Sequence, residues 1–353
     1  MKKYFLILVI LSGVIMARAQ TGHWELVKTK NKIDERGECS LAAVSGKLYL
    51  IGGDGPAKNV EVFDPATLTW SKGSMAPVTM HHLQATALGA KIYVLDAFDN
   101  GQYPNQIPAP YAYSYDTQTD KWEQLPGLPE ERRRGGAGEA TYNGKLYIVC
   151  GIKHGHSSGT NNLFDEYDPQ TKAWKVLPDA PHIRDHCMAV VIGDKLYAIG
   201  GRNTSLHDPD NFMSFFDKVV LEVDFYDFNT GKWATLDAKL PMGTGGGTAV
   251  NLDGKLFYIG GERATATKPN GPQADVYYLD VASPSAQWVE AAKLNKTRNG
   301  VGGTVLEHKI YIAGGARFGS KPVVQPNGKP QGTPPPDAPG NGEDIALEMF
   351  SFK

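Results

Sequence analysis

Residues 187–201 read Cys-Met-Ala-Val-Val-Ile-Gly-Asp-Lys-Leu-Tyr-Ala-Ile-Gly-Gly, and Phe225-Tyr226-Asp227 and then Trp233 follow after a longer stretch. Two β-rich runs, Cys187 to Ile192 and Lys195 to Ile199, flank a Gly-bearing turn, the pattern of an antiparallel hairpin. The aromatic-Asp pair closes a third run that begins at Val223, and Trp233 marks a fourth beyond a tight turn. Such a unit buries little by itself and has to stack on copies of itself.

The copies are present. The Leu-Tyr element of 194–197 recurs at Gly46-Lys47-Leu48-Tyr49, Lys91-Ile92-Tyr93, Gly144-Lys145-Leu146-Tyr147, Gly254-Lys255-Leu256-Phe257 and Lys309-Ile310-Tyr311. Double Gly follows at 52–53, 260–261 and 314–315, with Asp96-Ala97 and Cys150-Gly151 in its place in the second and third copies. The aromatic-Asp element returns as Phe63-Asp64, Tyr115-Asp116, Tyr167-Asp168 and, more weakly, Leu279-Asp280, and the Trp as Trp70, Trp122, Trp174 and Trp288. From each Trp to the Leu or Ile of the next Leu-Tyr element is 22 to 24 residues, whereas the return to the following Trp takes 22, 30, 28, 37 and 32. Half of the unit is rigid in length and half carries an elastic loop. Four antiparallel strands in roughly 40 to 60 residues make a β-propeller blade.

The sixth copy runs out of chain before its Trp, with a third strand expected from Ala346 to Phe352. Trp24 lies 24 residues before Leu48, the offset seen elsewhere. The N-terminal segment is therefore expected to supply the missing strand, closing the ring and leaving no open sheet edge. The boundaries expected are a leader over 1–19 and a propeller over 20–353. Its blades fall at about 36–76, 77–127, 128–181, 182–241 and 242–292, with the last at 293–353 plus 20–30.

The double Gly, the aromatic-Asp and the Trp resemble kelch repeats across nearly the whole chain after the leader. The resemblance implies an all-β, six-bladed kelch β-propeller with four antiparallel strands per blade. It says little about function. Kelch propellers include actin-binding and ubiquitin-ligase adaptors, copper oxidases of the galactose oxidase type and exported, single-domain bacterial sialic acid mutarotases (N-acetylneuraminate epimerases), the last similar to this chain in length and layout.

Lys2 and Lys3, the apolar run from Tyr4 to Met16 and Ala17-Arg18-Ala19 read as an export signal cleaved before Gln20, too short to span a bilayer. A secreted or periplasmic location follows, with no membrane attachment after cleavage. Losing that leader takes the formal charge from −2 to −5. With Arg132-Arg133-Arg134 as the one short basic run, nucleic acid is excluded as a partner. Cys39, Cys150 and Cys187 read as small buried hydrophobes.

In a kelch blade the elastic loop leaves from the face where the innermost strand begins, so that face is where a site is expected. Twelve residues before each Leu-Tyr element stand Arg36, Met80, Arg134, Arg184, Thr244 and Arg298; ten before stand Glu38, His82, Gly136, His186, Gly246 and Gly300. Between them stand Gly37, His81, Gly135, Asp185, Gly245 and Asn299. The repeat does not call for Glu38, His82, Asp185, His186 or Asn299. Polar groups converging where glycines leave room describe a ligand pocket. Glu38, His82 and His186 are the candidate acid–base residues, and Arg36, Arg134, Arg184, Asp185, Arg298 and Asn299 the candidate ligand-binding residues. The arginines either clamp an anionic ligand or bridge loops within the fold. On the first reading Arg184→Ala and His186→Ala weaken binding and leave the melting temperature within a few degrees.

His154-Gly155-His156 could ligate a metal and His207-Asp208-Pro209-Asp210 could add carboxylates. No Cys or third His stands at a matching spacing, so neither a metal nor another cofactor is expected. Glu139, inside an innermost strand, needs a partner or belongs to the site. A copper oxidase is excluded, since a Tyr-His pair and a further domain are both missing. Two classes remain. The first is a binding module that presents its mouth to a carbohydrate or protein partner. The second is a non-redox sugar mutarotase working by general acid–base catalysis on a sialic-acid-like sugar.

Overall fold

A computed structural model describes residues 22–265, 268–283, 285–315 and 347–352. The expected leader over 1–19 and the Pro/Gly-rich loop 318–344 lie outside them. Six four-stranded antiparallel sheets surround a central channel, each ordered from the innermost strand outward. Blade 1 holds Cys39–Val44, Lys47–Gly52, Asn59–Asp64 and Thr69–Met75. Blade 4 holds Met188–Ile192, Lys195–Ile199, Asp224–Asp227 and Lys232–Thr235. In blade 6 the third strand, Glu348–Ser351, pairs with His23–Leu26, and Trp24 faces Phe350. The N-terminal strand supplies the fourth, outermost strand of blade 6 and so closes the ring.

The core lies in the wedges between blades. Tyr49 and Ile51 of blade 1 pack on Ile92 and Tyr115 of blade 2, and Phe257 and Val276 of blade 5 on Ile310 and Phe350 of blade 6. Burying one such aromatic contributes roughly 1.5–3 kcal/mol. The Trp residues tie the blades together. Trp70, Trp122, Trp174 and Trp233 each sit across from the aromatic of the aromatic-Asp pair. The indole N–H of Trp174, Trp233, Trp288 and Trp24 donates to a carbonyl at the end of the preceding blade: Pro126, Pro178, Ala238 and Ala292.

Where the innermost strand begins, four blades share one device. Arg36, Arg184 and Arg298 each donate Nη1 to the carbonyl of the first residue of the double Gly, at 3.2, 3.1 and 2.7 Å, and Arg134 donates Nε to the equivalent Cys150 carbonyl at 2.6 Å. Each guanidinium also meets an acid on the third strand of its own blade. These acids are Glu61 (3.3 Å), Asp165 (2.9 Å), Asp224 (2.7 Å) and Glu348 (3.0 Å). All four arginines are buried. In blades 2 and 5, Met80 and Thr244 replace the arginine, and Tyr113 and Tyr277 stand at the acid's position. Arginine and acid come and go together.

Candidate functional site at the channel mouth

Two residues beyond the arginine position the chain turns left-handed in every blade. Glu38, His82, Gly136, His186, Gly246 and Gly300 have φ of 52, 55, 62, 52, 63 and 58°. This turn lets each residue donate its N–H to the carbonyl at the same position of the previous blade. The bonds run from His82 to Glu38 (3.0 Å), Gly136 to His82 (2.7 Å), His186 to Gly136 (2.7 Å), Gly246 to His186 (3.0 Å) and Gly300 to Gly246 (2.7 Å). Cys39 N–H completes the hoop on the Gly300 carbonyl at 3.3 Å. All six residues line the channel. Glycine adopts this conformation freely, whereas an L side chain there costs roughly 1–2 kcal/mol. The glycines also make room, since a Cβ on Gly300 would lie 2.4 Å from Glu38 Oε1.

A fourth side chain joins Glu38, His82 and His186 from a distance in sequence. The hairpin of Lys145–His154 and Ser158–Asp168 runs beyond its blade and carries His156 into the mouth. The His156 N–H is pinned to the Pro104 carbonyl at 2.7 Å. One ring nitrogen from each of His82, His156 and His186 lies within 4.8 Å of the others, and Glu38 Oε2 is 3.7 Å from His82 Nε2. The three histidines keep only 8, 7 and 6% exposure. Phe98, Tyr103 and Phe215, from the segments that follow the double-Gly positions of blades 2 and 4, roof the cluster, with centroids 5.7 Å from His82 and 5.0 and 6.1 Å from His156.

The polar surroundings fix how the rings are turned. Asp185 is fully buried, and its Oδ1 accepts His186 Nδ1–H at 2.6 Å. Asp185 also takes the hydroxyls of Thr160 and Thr204 and the Thr204 N–H. Burial pushes this carboxyl up, but His186, Arg202 and Thr160 outweigh it and hold it below the usual range. Gln106 Oε1 lies 3.2 Å from His156 Nδ1, so that nitrogen carries the proton in the assigned orientation. Burial, and then the neighbouring histidines and Arg202, hold His82 and His156 well below the ordinary imidazole range. His186 is lowered by burial and Arg202, against the pull of Asp185. All three are neutral at neutral pH.

The model of the KLHDC2/KLHL20/DRC7 Kelch-repeats domain matches residues 9–201, more than half of the chain. This chain belongs to the kelch-repeat family. Its kelch relatives include Kelch-like protein terF of Aspergillus terreus, 27% identical, with the match covering 91% of this chain and 70% of terF. Human Kelch-like protein 23 is 26% identical over 79% of this chain, which spans 45% of that protein. The N-(sulfonatooxy)prop-2-enimidothioate sulfolyase of Thlaspi arvense is 28% identical over 63% of this chain and 68% of its own. The solved structure titled "Structure of YjhT" superposes with a TM-score of 0.67 at 16% identity, covering 86% of this chain and 94% of that one, a likeness of fold.

Within this kelch ring the residues singled out from sequence separate into groups. Glu38, His82 and His186 meet at the axis. Asp185 stands behind His186, and Asn299 donates to Glu262 Oε2 at 3.0 Å. The guanidinium groups of Arg36, Arg134, Arg184 and Arg298 are engaged inside their own blades. The loops 96–111 and 202–220 contribute the aromatic roof, and 317–344 lies outside the described residues. His154 is exposed and Asp208 bonds weakly to Lys218 at 3.7 Å, away from the cluster. Glu139 is buried between blades 2 and 3, where Oε2 accepts the Leu95 N–H at 2.9 Å. Sequence reading missed His156 as a partner of His82 and His186, and it missed Arg202 and Glu262. Arg202 Nη1 bonds Glu262 Oε1 at 3.0 Å, and its guanidinium lies over Phe215 and Phe216. Both stand directly after a double Gly, a position also aligned across the repeats, and that register was the available signal.

Proposed function

We propose that this kelch propeller works through its channel mouth as a small-molecule site, holding a polar ligand of the sugar class against Glu38, His82, His156 and His186. The observation that carries this reading is the left-handed hoop. Three blades fill it with glycine at no strain, and the other three place Glu38, His82 and His186 there, all pointing chemistry at one spot and none bonded to the third strand of its own blade. Strained side chains persist where surrounding structure holds them for a purpose. The cluster is recessed under an aromatic roof, which suits a small ligand better than a protein partner. A relative named as a sulfolyase supports a reactive site over a passive one. A sialic-acid-like substrate, acted on as by a mutarotase, would need a cation for its carboxylate. The four repeat arginines are engaged inside their blades, and Arg202, which faces the cluster, would have to exchange Glu262 for that carboxylate. The leader read over 1–19 supports work outside the cytoplasm, in a secreted or periplasmic setting.

The test is a thermal-shift panel of neutral sugars and sugar acids on the full chain and on the triple variant Glu38→Gly, His82→Gly, His186→Gly. A ligand is expected to raise the wild-type melting temperature and leave the variant unmoved at a similar baseline. A panel without effect on the wild type, or an equal shift in both, defeats the reading.

A further inference from the structure

His156 and His186 approach each other through Nε2 at 3.2 Å. A hydrogen bond at that distance needs one N–H and one lone pair. Asp185 takes the Nδ1 proton of His186, and Gln106 Oε1 takes that of His156, so both Nε2 atoms present bare lone pairs to each other. Two lone pairs facing at hydrogen-bond distance repel unless a cation lies between them. His82 brings a third imidazole nitrogen within 4.8 Å of both.

We propose that His82, His156 and His186 bind one divalent first-row transition-metal ion at the channel mouth. Imidazole nitrogen is the donor that zinc, copper, nickel and iron share, and three histidines with an open side make a site that also takes water or a ligand oxygen. The supports behind the rings are those of a metal centre. A carboxylate and an amide oxygen each hold the far nitrogen of a ligating ring, fixing tautomer and orientation. Charge points the same way. Glu38, Asp54, Asp185 and Glu262 gather at the cluster; Arg202 is the cation set against Glu38, Asp185 and Glu262, and Lys58 the one against Asp54. The three rings come from blades 2, 3 and 4. The hairpin that delivers His156 contains the two longest strands described, of 10 and 11 residues. This inference deepens the small-molecule reading by giving the mouth an electrophile, and it rests on that reading for its purpose.

The experiment titrates the metal-stripped full chain with Co2+ and Zn2+, following the Co2+ visible ligand-field bands, bound-metal stoichiometry and melting temperature. One equivalent is expected to bind, with four- or five-coordinate bands and a melting temperature that climbs with metal concentration. His156→Ala changes a hairpin tip outside the hoop and should abolish the bands while the protein stays folded by circular dichroism. Asp185→Asn should weaken binding by about ten- to a hundredfold. No Co2+ bands in the wild type, or bands that survive in both His156→Ala and His186→Gly, overturn the proposal. The sugar panel repeated on stripped protein separates the two readings. A shift there, with no bands in the Co2+ titration, keeps the ligand site and removes the metal; Co2+ bands with no sugar shift do the reverse.

Discussion

The arginine position and the left-handed position lie two residues apart at the start of every innermost strand, and they depart from the repeat in different ways. Where the arginine is lost, at Met80 and Thr244, the acid across the blade is lost too, replaced by Tyr113 and Tyr277. Where glycine is lost from the hoop, at Glu38, His82 and His186, no acid or base across the blade changes to match; what changes is the adjoining residue at the mouth, Asp185 beside His186 and His81 beside His82. A side chain that varies together with an intrablade partner is holding the blade. One that varies without a partner across the blade, against its backbone preference, answers to the mouth. A repeat protein thus carries its own controls, with six environments of nearly the same shape.

The comparison is most exposed at Arg184. Its Nη2 meets Asp224 at 2.7 Å with both groups fully buried, so Arg184→Ala leaves that buried carboxylate with only His182 and Thr235 as partners. Breaking one side of a buried pair costs roughly 3–5 kcal/mol, which for a domain of this size lowers the melting temperature by roughly four to seven degrees. That replaces the few degrees expected when the arginine was read from sequence as a possible ligand clamp. The double variant Arg184→Met with Asp224→Tyr, which copies blade 2, should recover at least half the loss. A melting temperature within about three degrees of wild type for Arg184→Ala would return the arginine to the mouth and break the contrast.

A smaller effect is expected where blade 2 replaces double Gly with Asp96-Ala97. Asp96 lies buried near Glu139 of blade 3. Asp96 Oδ2 accepts the Ala137 N–H at 3.0 Å, and Asp96 Oδ1 and Glu139 Oε1 have no partner. Burial pushes Asp96 up to about 7, and burial together with Asp96 pushes Glu139 well above the usual range. A folded-state pKa above the unfolded one means the native protein holds the proton more tightly. That contribution is complete below about pH 4 and is lost as pH rises through 7. With tenfold in proton affinity worth about 1.4 kcal/mol, stability should fall by a few kcal/mol between pH 5 and 8, and Asp96→Asn should flatten much of that slope. Parallel melting curves against pH for the two proteins would show that this pair does not titrate.

Much of the propeller was legible because its signals are local and repeated. Six Leu-Tyr elements and six Trp residues at a constant offset specify strands, blade count and the closure by Trp24. The hoop positions were legible by the same alignment, which placed Glu38, His82 and His186 in one ring. The arginines were legible only in half. Their partners, Glu61, Asp165 and Asp224, stand three residues before the Asp of the aromatic-Asp element and could have been aligned with them. His156 was not legible as a member of the cluster. It reaches the axis through an elongated hairpin, and its neighbours belong to two other blades, so no spacing along the chain brings the three histidines together.

The smallest effect on stability is expected at Glu38, and it tests the other side of the contrast. Glu38→Gly restores what blades 3, 5 and 6 already have at that position. The hoop survives, because Cys39 still donates to Gly300 and His82 to residue 38 through backbone atoms alone. Relief of the left-handed strain favours the variant by roughly 1–2 kcal/mol, and removal of a carboxyl that burial already forces toward its neutral form adds in the same direction. Against this, glycine frees the unfolded chain, a loss of roughly 0.5–1 kcal/mol. The two nearly cancel, so the melting temperature should stay level or rise by a few degrees, while the ligand-dependent shift at the mouth disappears. A fall of more than about five degrees would mean that Glu38 supports the ring itself, and the hoop would then belong with the arginines as structure.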